Sequence, residues 1–436
     1  MEAATAVRRE HAAPPAGVPR LLAGVRAHGG RMSFREHTRW YGDPAVGLSA
    51  RGLIHEVDQA GLRGRGGGAF STGRKLAAVA SARSRPVVVV NGMEGEPGSG
   101  KDRHLLAVAP HLVLDGAELA AAELGASRLI VAVRRDAVDA VRSLSRALAE
   151  RGKGWFGLDP VEVAEGPPRY VGGEETALVH WLAGGPIRPL GVPPRPFERG
   201  VSGKPTLVLN VETAAHLAQI ARYGAGWFRS VGPAHAPGTA LVTIAGAVGR
   251  RGIAEVGLGA SLEAVVRASE PRSEPAMLLA GGCFGGWLPW SAAAALTCDP
   301  DALRLAGAGL GAGILVVAPE QTCVLAETAR IAAYLAREGA GQCGPCTHGV
   351  RAVAGDLQVL CSPQANGLVT DRLRRRISVV EGRGACGLPD GLVRLVSSAL
   401  ERFPDHVAAH ERGHLCRQSA VVPLPPARAL SDADWR

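Results

Sequence analysis

Apolar and polar positions change period along this chain, and the changes mark its elements. Val87–Val90 is a short β-branched run bounded by polar and glycine residues, which reads as a buried strand. Arg128–Val133 is a second such run. Around them the period is helical: a short segment from Leu53, then Lys75–Ala82, a long apolar Ala107–Glu123, and Val138–Arg151. This alternation, from Leu53 to about Pro205, predicts a layered α/β domain. Pro186–Pro196 reads as an extended connector. Residues 238–290 read as a smaller unit. Ala240–Ile244 and Gly257 frame two strands, Leu262–Ala268 a helix, and Ala276–Leu288 a return to strand and turn. From Glu320 to His410 the strand pattern stops. Thr322–Glu338, Thr347–Cys361, Thr370–Glu381 and Gly391–Phe403 read as helices of a bundle. The expected division is a loose arm at 1–47, an α/β domain at 48–215, the small unit at 238–290, a helical domain at 320–410 and a proline-rich tail at 411–436.

Composition narrows the partners. A chain of 436 residues is long enough for two to four domains at ~100–200 residues each. The net charge is +9 and is carried almost entirely by arginine. The lysines are Lys75, Lys101, Lys153 and Lys204; the first two lie in glycine-rich loops and Lys204 in another glycine/proline turn. The arginines are scattered and no aromatic-basic stripe is present, which argues against a nucleic-acid surface. The start, MEAATAVRREHAAPPAG, has early Glu and no apolar run of the secretory kind. The longest uncharged stretch, Ala276–Cys298, is broken by glycine pairs and Pro289, whereas a membrane span needs ~20 apolar residues. The expectation is a soluble cytoplasmic protein with no membrane span. Its thiols would stay reduced, and clustered cysteines would mean metal or redox chemistry.

Three local patterns carry candidate chemistry. Gly61–Lys75 (GLRGRGGGAFSTGRK) is glycine-dense and opens a helix; Asn91–Arg103 (NGMEGEPGSGKDR) leaves the Val87–Val90 strand. Glycine lets backbone N–H groups approach a phosphate or a flat ring. Lys75, Lys101 and Arg103 add positive charge, and Glu94 and Glu96 add acceptors, so the pair suits a nucleotide better than a bare anion. Gly64–Ala69 fits G-x-G-x-x-A, but a helix rather than a strand precedes it and no acid follows about 20 residues on, so the Rossmann reading fails. Tyr170–Thr176 (YVGGEET) puts Glu174 and Glu175 at a helix start, as a helix cap or as a contact to a flavin or nicotinamide. Of eight cysteines, most read as small buried apolar residues. Cys343-Gly-Pro-Cys346 offers two thiolates to one centre, and Cys386 lies in a second glycine-rich loop; zinc or an iron–sulfur cluster would fit. The thirteen histidines show no H-E-x-x-H or similar spacing and read as structural or surface.

Together GLRGRGGGAFSTGRK, VVNGMEGEPGSGKDR, YVGGEETAL, GKPTLVLNVET, GTALVTIAGAV, GGCFGGWLP and GQCGPC, followed by the glycine-flanked Cys386, resemble the flavin- and NADH-binding (51-kDa-type) subunit of respiratory complex I, its F subunit. That family has relatives in NAD-reducing hydrogenases and NAD-dependent formate dehydrogenases. The resemblance covers roughly residues 50–405. It implies a non-classical Rossmann-like α/β domain for FMN, a β-grasp module of the soluble-ligand-binding (SLBB) type, and a helical bundle holding a [4Fe–4S] cluster. It implies hydride transfer from NADH or NADPH to FMN, then single electrons to the cluster and to a thioredoxin-like [2Fe–2S] or ferredoxin partner, with no catalytic side chain beyond tuning by Glu94 and Glu175. Carried over, FMN would be held by Gly64, Arg65, Gly66, Lys75, Asn91, Glu94, Gly173, Glu174, Glu175 and Asn210. Nicotinamide would lie near Gly67, Gly68, Phe70, Glu96 and Tyr170. Cys343, Cys346 and Cys386 match three cluster ligands.

The departures are specific. The family's loop C-G-x-C-x-x-C begins here with Ala340, which cannot ligate iron. A three-cysteine [4Fe–4S] cluster, a [3Fe–4S] form and loss of the cluster all stay open, with His348 and Cys361 as candidate substitutes. Met93 stands where the family has an acid, Ala78 where it has an aromatic, and Arg195 lies in an altered nicotinamide segment where it would favour a 2′-phosphate. The rival readings are a non-catalytic paralogue that binds flavin or a partner protein, and a zinc-binding interaction module built on Cys343, Cys346 and Cys386.

Overall fold

A computed structural model describes residues 17–44, 52–152, 160–414, 416, 420–427 and 430–436. Lys153 and parts of the arm and tail lie outside the described residues. The first sheet contains β1 (Val87–Gly92), β2 (Arg128–Arg134), β3 (Glu162–Gly166) and β4 (Thr206–Asn210), all parallel, in the order β3-β2-β1-β4. Val87–Val90 are fully buried, as a strand covered on both faces requires. The glycine loop is preceded by the helix Gly52–Ala60 and followed by the helix Thr72–Ala80, which Ser71 caps by accepting from the Arg74 N–H.

One expected long helix is two. Lys101–Val108 and Pro110–Glu123 meet at a 98° bend. Pro110 has no N–H to donate and pushes Ala109 out of the helical region (φ −135°). The second piece crosses the helix Val211–Arg229 so closely that a Cβ on Gly116 would lie 1.7 Å from the Ala214 carbonyl oxygen. Beside that crossing Asp115 is fully buried with His37 (2.7 Å), Arg151 (2.8 Å) and Arg222. Burial alone would raise its pKa, yet Arg222, His37 and Arg151 together hold the carboxyl well below the usual carboxylate range.

Residues 17–44 are packed, which corrects the loose arm for that part of 1–47. The Glu255 carboxylate accepts three successive backbone N–H groups, from Arg20 (2.9 Å), Leu21 (3.0 Å) and Leu22 (3.0 Å). A capping box between Ser33 and Glu36 starts the helix Phe34–Tyr41, which delivers His37 to Asp115.

The second sheet runs β6-β5-β9-β7-β8, with β5 (Thr239–Gly246), β6 (Gly252–Gly257), β7 (Met277–Ala280), β8 (Gly286–Pro289) and β9 (Ile314–Ala318). Its central strand, β9, comes from beyond residue 290, so the sheet extends past the expected end of the small unit. Helices Val324–Glu338, Arg351–Leu360, Gly367–Val380, Leu388–Arg402 and Pro404–Glu411 follow. They share a core with one face of this sheet; Trp287 on β8 is fully buried and donates to Thr328 Oγ1 at 3.0 Å.

Candidate functional site

The chain order of the first sheet reverses direction between β1 and β4. Ligands of open parallel sheets bind outside the carboxyl ends of the strands at such a switch point. Asn91, next to the end of β1, and Asn210, the end of β4, are register partners. The Asn91 amide donates to the Gly173 carbonyl (2.9 Å) and its oxygen accepts from the Met93 N–H (3.0 Å). Asn210 caps the helix Val211–Arg229 by accepting from the Glu212 N–H (3.0 Å) and donates to Asp102 (2.6 Å). The glycine loop passes over this edge. A Cβ on Gly66 would sit 3.3 Å from the Asn210 Cβ, whereas one on Gly68 would meet nothing within 4 Å. Gly67 has φ +106° and faces the Gly311 backbone. Phe70, at the loop tip, is 61% exposed. Lys75 pairs with Glu175 at 2.9 Å, joining the helix behind the loop to the Tyr170–Thr176 segment.

Arg65 turns its side chain away from the crevice. Its backbone N–H donates to Thr213 Oγ1 (2.9 Å), but its guanidinium donates to the carbonyls of Thr239 (3.2 Å) and Pro237 (3.3 Å) and approaches Glu212 (3.9 Å). The side chain anchors the loop to β5 and offers the crevice only its main chain. Glu94 is similarly engaged. It accepts from Ser99 Oγ and from the backbone N–H groups of Asp102 (3.2 Å) and Arg103 (3.4 Å), at the start of the helix Lys101–Val108.

Beneath the crevice Lys101 is buried with Asp102 (2.7 Å) and Glu212 (2.9 Å). Burial works against its charge, and the two carboxylates overcome that and hold the ammonium above its ordinary pKa. Glu212 is brought to about 2: burial opposes this, and Lys101, His216 and Arg65 prevail. One ammonium thus serves two buried carboxylates, and through Asn210 and Asp102 it braces the floor of the crevice.

The loops after β1 and before the helix Glu175–Leu182 are locked together. A Cβ on Gly95 would lie 2.0 Å from the Tyr170 carbonyl oxygen, and one on Gly173 would lie 2.7 Å from the Met93 carbonyl oxygen. Glu96 is half-buried and accepts from the Tyr170 hydroxyl (3.1 Å) and the Cys283 N–H (3.0 Å); desolvation pushes its pKa up to about 7. The Tyr170 ring packs edge-on against Phe284 (5.1 Å) and Tyr334 (5.8 Å). Glu174 caps its helix through the Ala177 N–H (2.9 Å) and Thr176 (2.6 Å), and burial raises its pKa. Met93 is core: it packs beneath Gly166 and Gly172, a site that would desolvate an acid.

The same segment touches the cysteine loops. The Tyr170 N–H donates to Glu338 (3.0 Å) and Arg169 pairs with it (3.1 Å); Glu338 ends its helix two residues before Ala340. Cys346 is buried, accepts from the Gly341 N–H (3.4 Å), and opens a π-helical turn, Pro345–Val350, a distortion common at functional sites. Burial pushes the Cys386 thiol up to about 11, with Glu174, Cys346 and Cys343 adding smaller contributions. Cys361 is not among them. It follows Leu360, the end of a continuous helical run from Pro345, which places it about 20 Å from Cys346 at ~1.5 Å per residue. It is therefore no substitute for the missing ligand. His348 is exposed on the π-helical turn.

The Nuo51 FMN-binding domain family matches residues 57–219, and the NADH-ubiquinone oxidoreductase-F iron-sulfur binding region matches residues 326–410. The chain is 30% identical over 410 residues to the second NADH-quinone oxidoreductase F subunit of Rhizobium meliloti, covering 91% of this chain and 96% of that protein. The chain belongs to the F-subunit family of NADH-quinone oxidoreductases. The F subunit of Rickettsia felis is 31% identical over 385 residues, 83% of this chain and 89% of that one. Among solved structures, an NAD+-reducing [NiFe]-hydrogenase in the H2-reduced state superposes with a TM-score of 0.74 at 29% identity, over 82% of this chain and 62% of that chain. Its air-oxidized state gives 0.76 at 28% identity, over 88% and 65%. The chain thus spans less than two thirds of the hydrogenase chain it matches. The two matched family regions take in both glycine loops, Asn91, Asn210 and all three cysteines of the cluster loops. They stop short of Cys323 and Cys416, which the structure brings together with His406 and His410. Sequence reasoning passed over that group and over the Lys101 triad. The one local signal for the former was the spacing of His406 and His410, one helical turn apart.

Proposed function

We propose that this F-subunit relative passes electrons from NADH or NADPH through FMN to an iron–sulfur cluster, and on to a [2Fe–2S] or ferredoxin-type partner in the cytoplasm. The observation that carries the reading is the Arg169–Glu175 segment. One face of it closes the crevice at Asn91 and Lys75, and the other binds Glu338, at the end of the helix that leads into the Cys343–Cys346 loop.

The residues fit FMN. The switch point offers a flat floor, Gly68 leaves open space where a side chain would intrude, and Phe70 presents an unburied ring. When bound, FMN accepts two electrons with a hydride and gives them up singly. Asn91, Asn210 and the main chain of Gly64–Gly68 would hold and orient it, with Lys75 supplying positive charge. Glu96 and Tyr170 would form the wall on the nicotinamide side with Phe70 as a stacking face, and Gly173, Glu174 and Glu175 would border the flavin. Cys343, Cys346 and Cys386 supply three thiolates to the cluster, and Ala340 leaves one corner without a cysteine. Sequestering carboxylates in caps and ion pairs, as at Glu94 and Glu174, keeps free negative charge out of the crevice.

The test is anaerobic titration of the purified, flavin-loaded protein. NADH or NADPH should bleach the flavin absorbance. Bound FMN that stays oxidised with both would defeat the proposal and favour the non-catalytic reading.

A further inference from the structure

Four side chains from distant parts of the chain converge on the far side of the helical layer. Cys323 caps the helix Val324–Glu338, His406 and His410 lie one turn apart on Pro404–Glu411, and Cys416 follows in the tail. Cys323 Sγ lies 3.3 Å from His406 Nε2 and 3.4 Å from His410 Nε2; Cys416 Sγ lies 3.5 Å and 3.3 Å from the same two atoms. All four ligand atoms fall within 4.8 Å of one another. We propose that Cys323, His406, His410 and Cys416 form a tetrahedral zinc site that clips the C-terminal tail to the helical layer.

The geometry favours one central ion. A tetrahedral zinc with bonds of ~2.3 Å to sulfur and ~2.0–2.1 Å to nitrogen spaces those ligands about 3.5 Å apart, close to the four observed edges. Hydrogen bonding alone accounts for the set poorly. His410 Nδ1 lies 2.9 Å from the Leu360 carbonyl, which has no proton to give, so Nδ1 carries the ring proton and Nε2 presents a lone pair. Two thiol protons and at most one ring proton, on His406 Nε2, then face four sulfur–nitrogen contacts. The Leu360 carbonyl is also the kind of outer partner that fixes the tautomer of a metal-bound histidine. The Ala326 N–H donates to Cys323 Sγ (3.3 Å), an outer contact of the kind that orients a metal-bound sulfur. A [2Fe–2S] centre with two cysteines and two histidines keeps the sulfurs on one iron and the nitrogens on the other. Here each sulfur is close to both nitrogens. Two sulfurs and two imidazoles in a closed tetrahedron select zinc. A cleft of about 500 Å³ bordered by Arg402, Phe403, His406 and Cys416 opens to the site and gives the ion a way in.

The clip has a consequence at the crevice. Beyond Cys416 the tail returns across the molecule: the Val422 N–H donates to Glu327 (3.1 Å), Pro423 faces Gly98, and Trp435 stacks on Arg169 (4.3 Å) while its carbonyl accepts from the Ile187 N–H (2.7 Å). The tail therefore ends against the segment that joins the flavin and cysteine loops.

The experiment is metal, sulfide and flavin analysis of the full chain, with a cobalt(II) replacement. The expected result is about one zinc per chain that survives desalting, and a visible spectrum of tetrahedral, thiolate-bound cobalt that zinc displaces. Cys416→Ser and His406→Gln should each lower zinc at least about fivefold and speed amide exchange in residues 420–436, with iron and flavin retained. Cys343→Ala should lower iron and leave zinc in place. If the variants do not fold, the cobalt spectrum of the unaltered chain decides. A chain that takes up neither zinc nor tetrahedral cobalt overturns the site. So does zinc that survives Cys416→Ser and leaves with Cys343→Ala, or a Cys323–Cys416 disulfide in protein purified without oxygen.

Discussion

Lys101→Met is the sharpest perturbation of the crevice floor, because it removes a charge and little volume. The ammonium lies 2.7 Å from Asp102 and 2.9 Å from Glu212, and all three groups are buried. Breaking a buried ion pair by deleting one partner costs ~3–5 kcal/mol, since the remaining charge stays desolvated. At ~2–4 °C per kcal/mol for a unit of 150–250 residues, the flavin domain should melt roughly 10 °C lower at pH 8. The pH dependence has a definite sign. Burial already lifts Asp102 to about 6 against the pull of Lys101; without the ammonium it rises further, and Glu212, now at about 2, rises above its unfolded value. The folded variant then binds more protons than its unfolded chain, so it loses stability as pH rises through those values. The deficit against the unaltered protein should therefore be largest near pH 8 and shrink toward pH 5. Adding Glu212→Gln removes one stranded charge, and its oxygen can still accept from the Leu241 N–H, now 2.9 Å away; the double variant should regain about half the loss. Flavin fluorescence on heating reports melting and cofactor release together. A Lys101→Met protein within about 2 °C of the parent at pH 8, or a double variant no better than the single one, would refute the bracing role.

Three further outcomes follow from other contacts. Glu96 has a folded pKa of about 7 against an ordinary 4.5; its contribution is complete below the unfolded value and about 3 kcal/mol is lost as pH rises through 7. Glu96→Gln should consequently gain on the parent in melting temperature between pH 5 and pH 8, and a constant offset between the two proteins would contradict the assignment. Gly95→Ala would press a Cβ 2.0 Å from the Tyr170 carbonyl oxygen and should abolish flavin retention, while Gly355→Ala, on the helix Arg351–Leu360 with nothing within 4 Å of an added Cβ, should retain it; equal behaviour of the two in flavin counts would count against the crevice. Ala340→Cys should restore the missing corner and raise cluster iron per chain, read by iron and sulfide analysis, and unchanged iron would show that residue 340 is not at a corner.

The parts of the fold that could be read from the chain are those whose burial is local. Val87–Val90 is apolar on both faces because helices cover both sides of β1, and such a run needs no knowledge of its partners. β3 escaped notice because it is an edge strand carrying Glu162 and Glu165, with a single neighbour and a partly solvated face. β9 is strongly apolar, yet its place between β5 and β7 depends on pairing across the helices Trp290–Ala293 and Pro300–Leu305. A boundary drawn at 290 from the continuous pattern excluded it. The break at Pro110 was legible from proline chemistry and was passed over in favour of apolar periodicity, which runs unbroken through it.

The candidate site divides on the same line between local and assembled. Glycine loops announce themselves because backbone approach needs particular residues in sequence, whatever the rest of the fold does. What each side chain then does is tertiary: Arg65 turns away to β5, and Glu94 is consumed by a helix start. The cysteines make the point most clearly. Cys346 and Cys361 stand at opposite ends of one helical run, and spacing along the chain gives no reason to assign them to different centres. The structure gives one, because that run is rigid and about 20 Å long. At its first end Cys346 Sγ packs against Gly339, the neighbour of Glu338, which accepts from Tyr170 beside the flavin loops. Its last carbonyl, Leu360, holds His410 in the tautomer that points Nε2 at Cys323 and Cys416. A thiol at the second end cannot repair a cluster at the first, so the alanine at 340 must be answered within the cluster loops themselves.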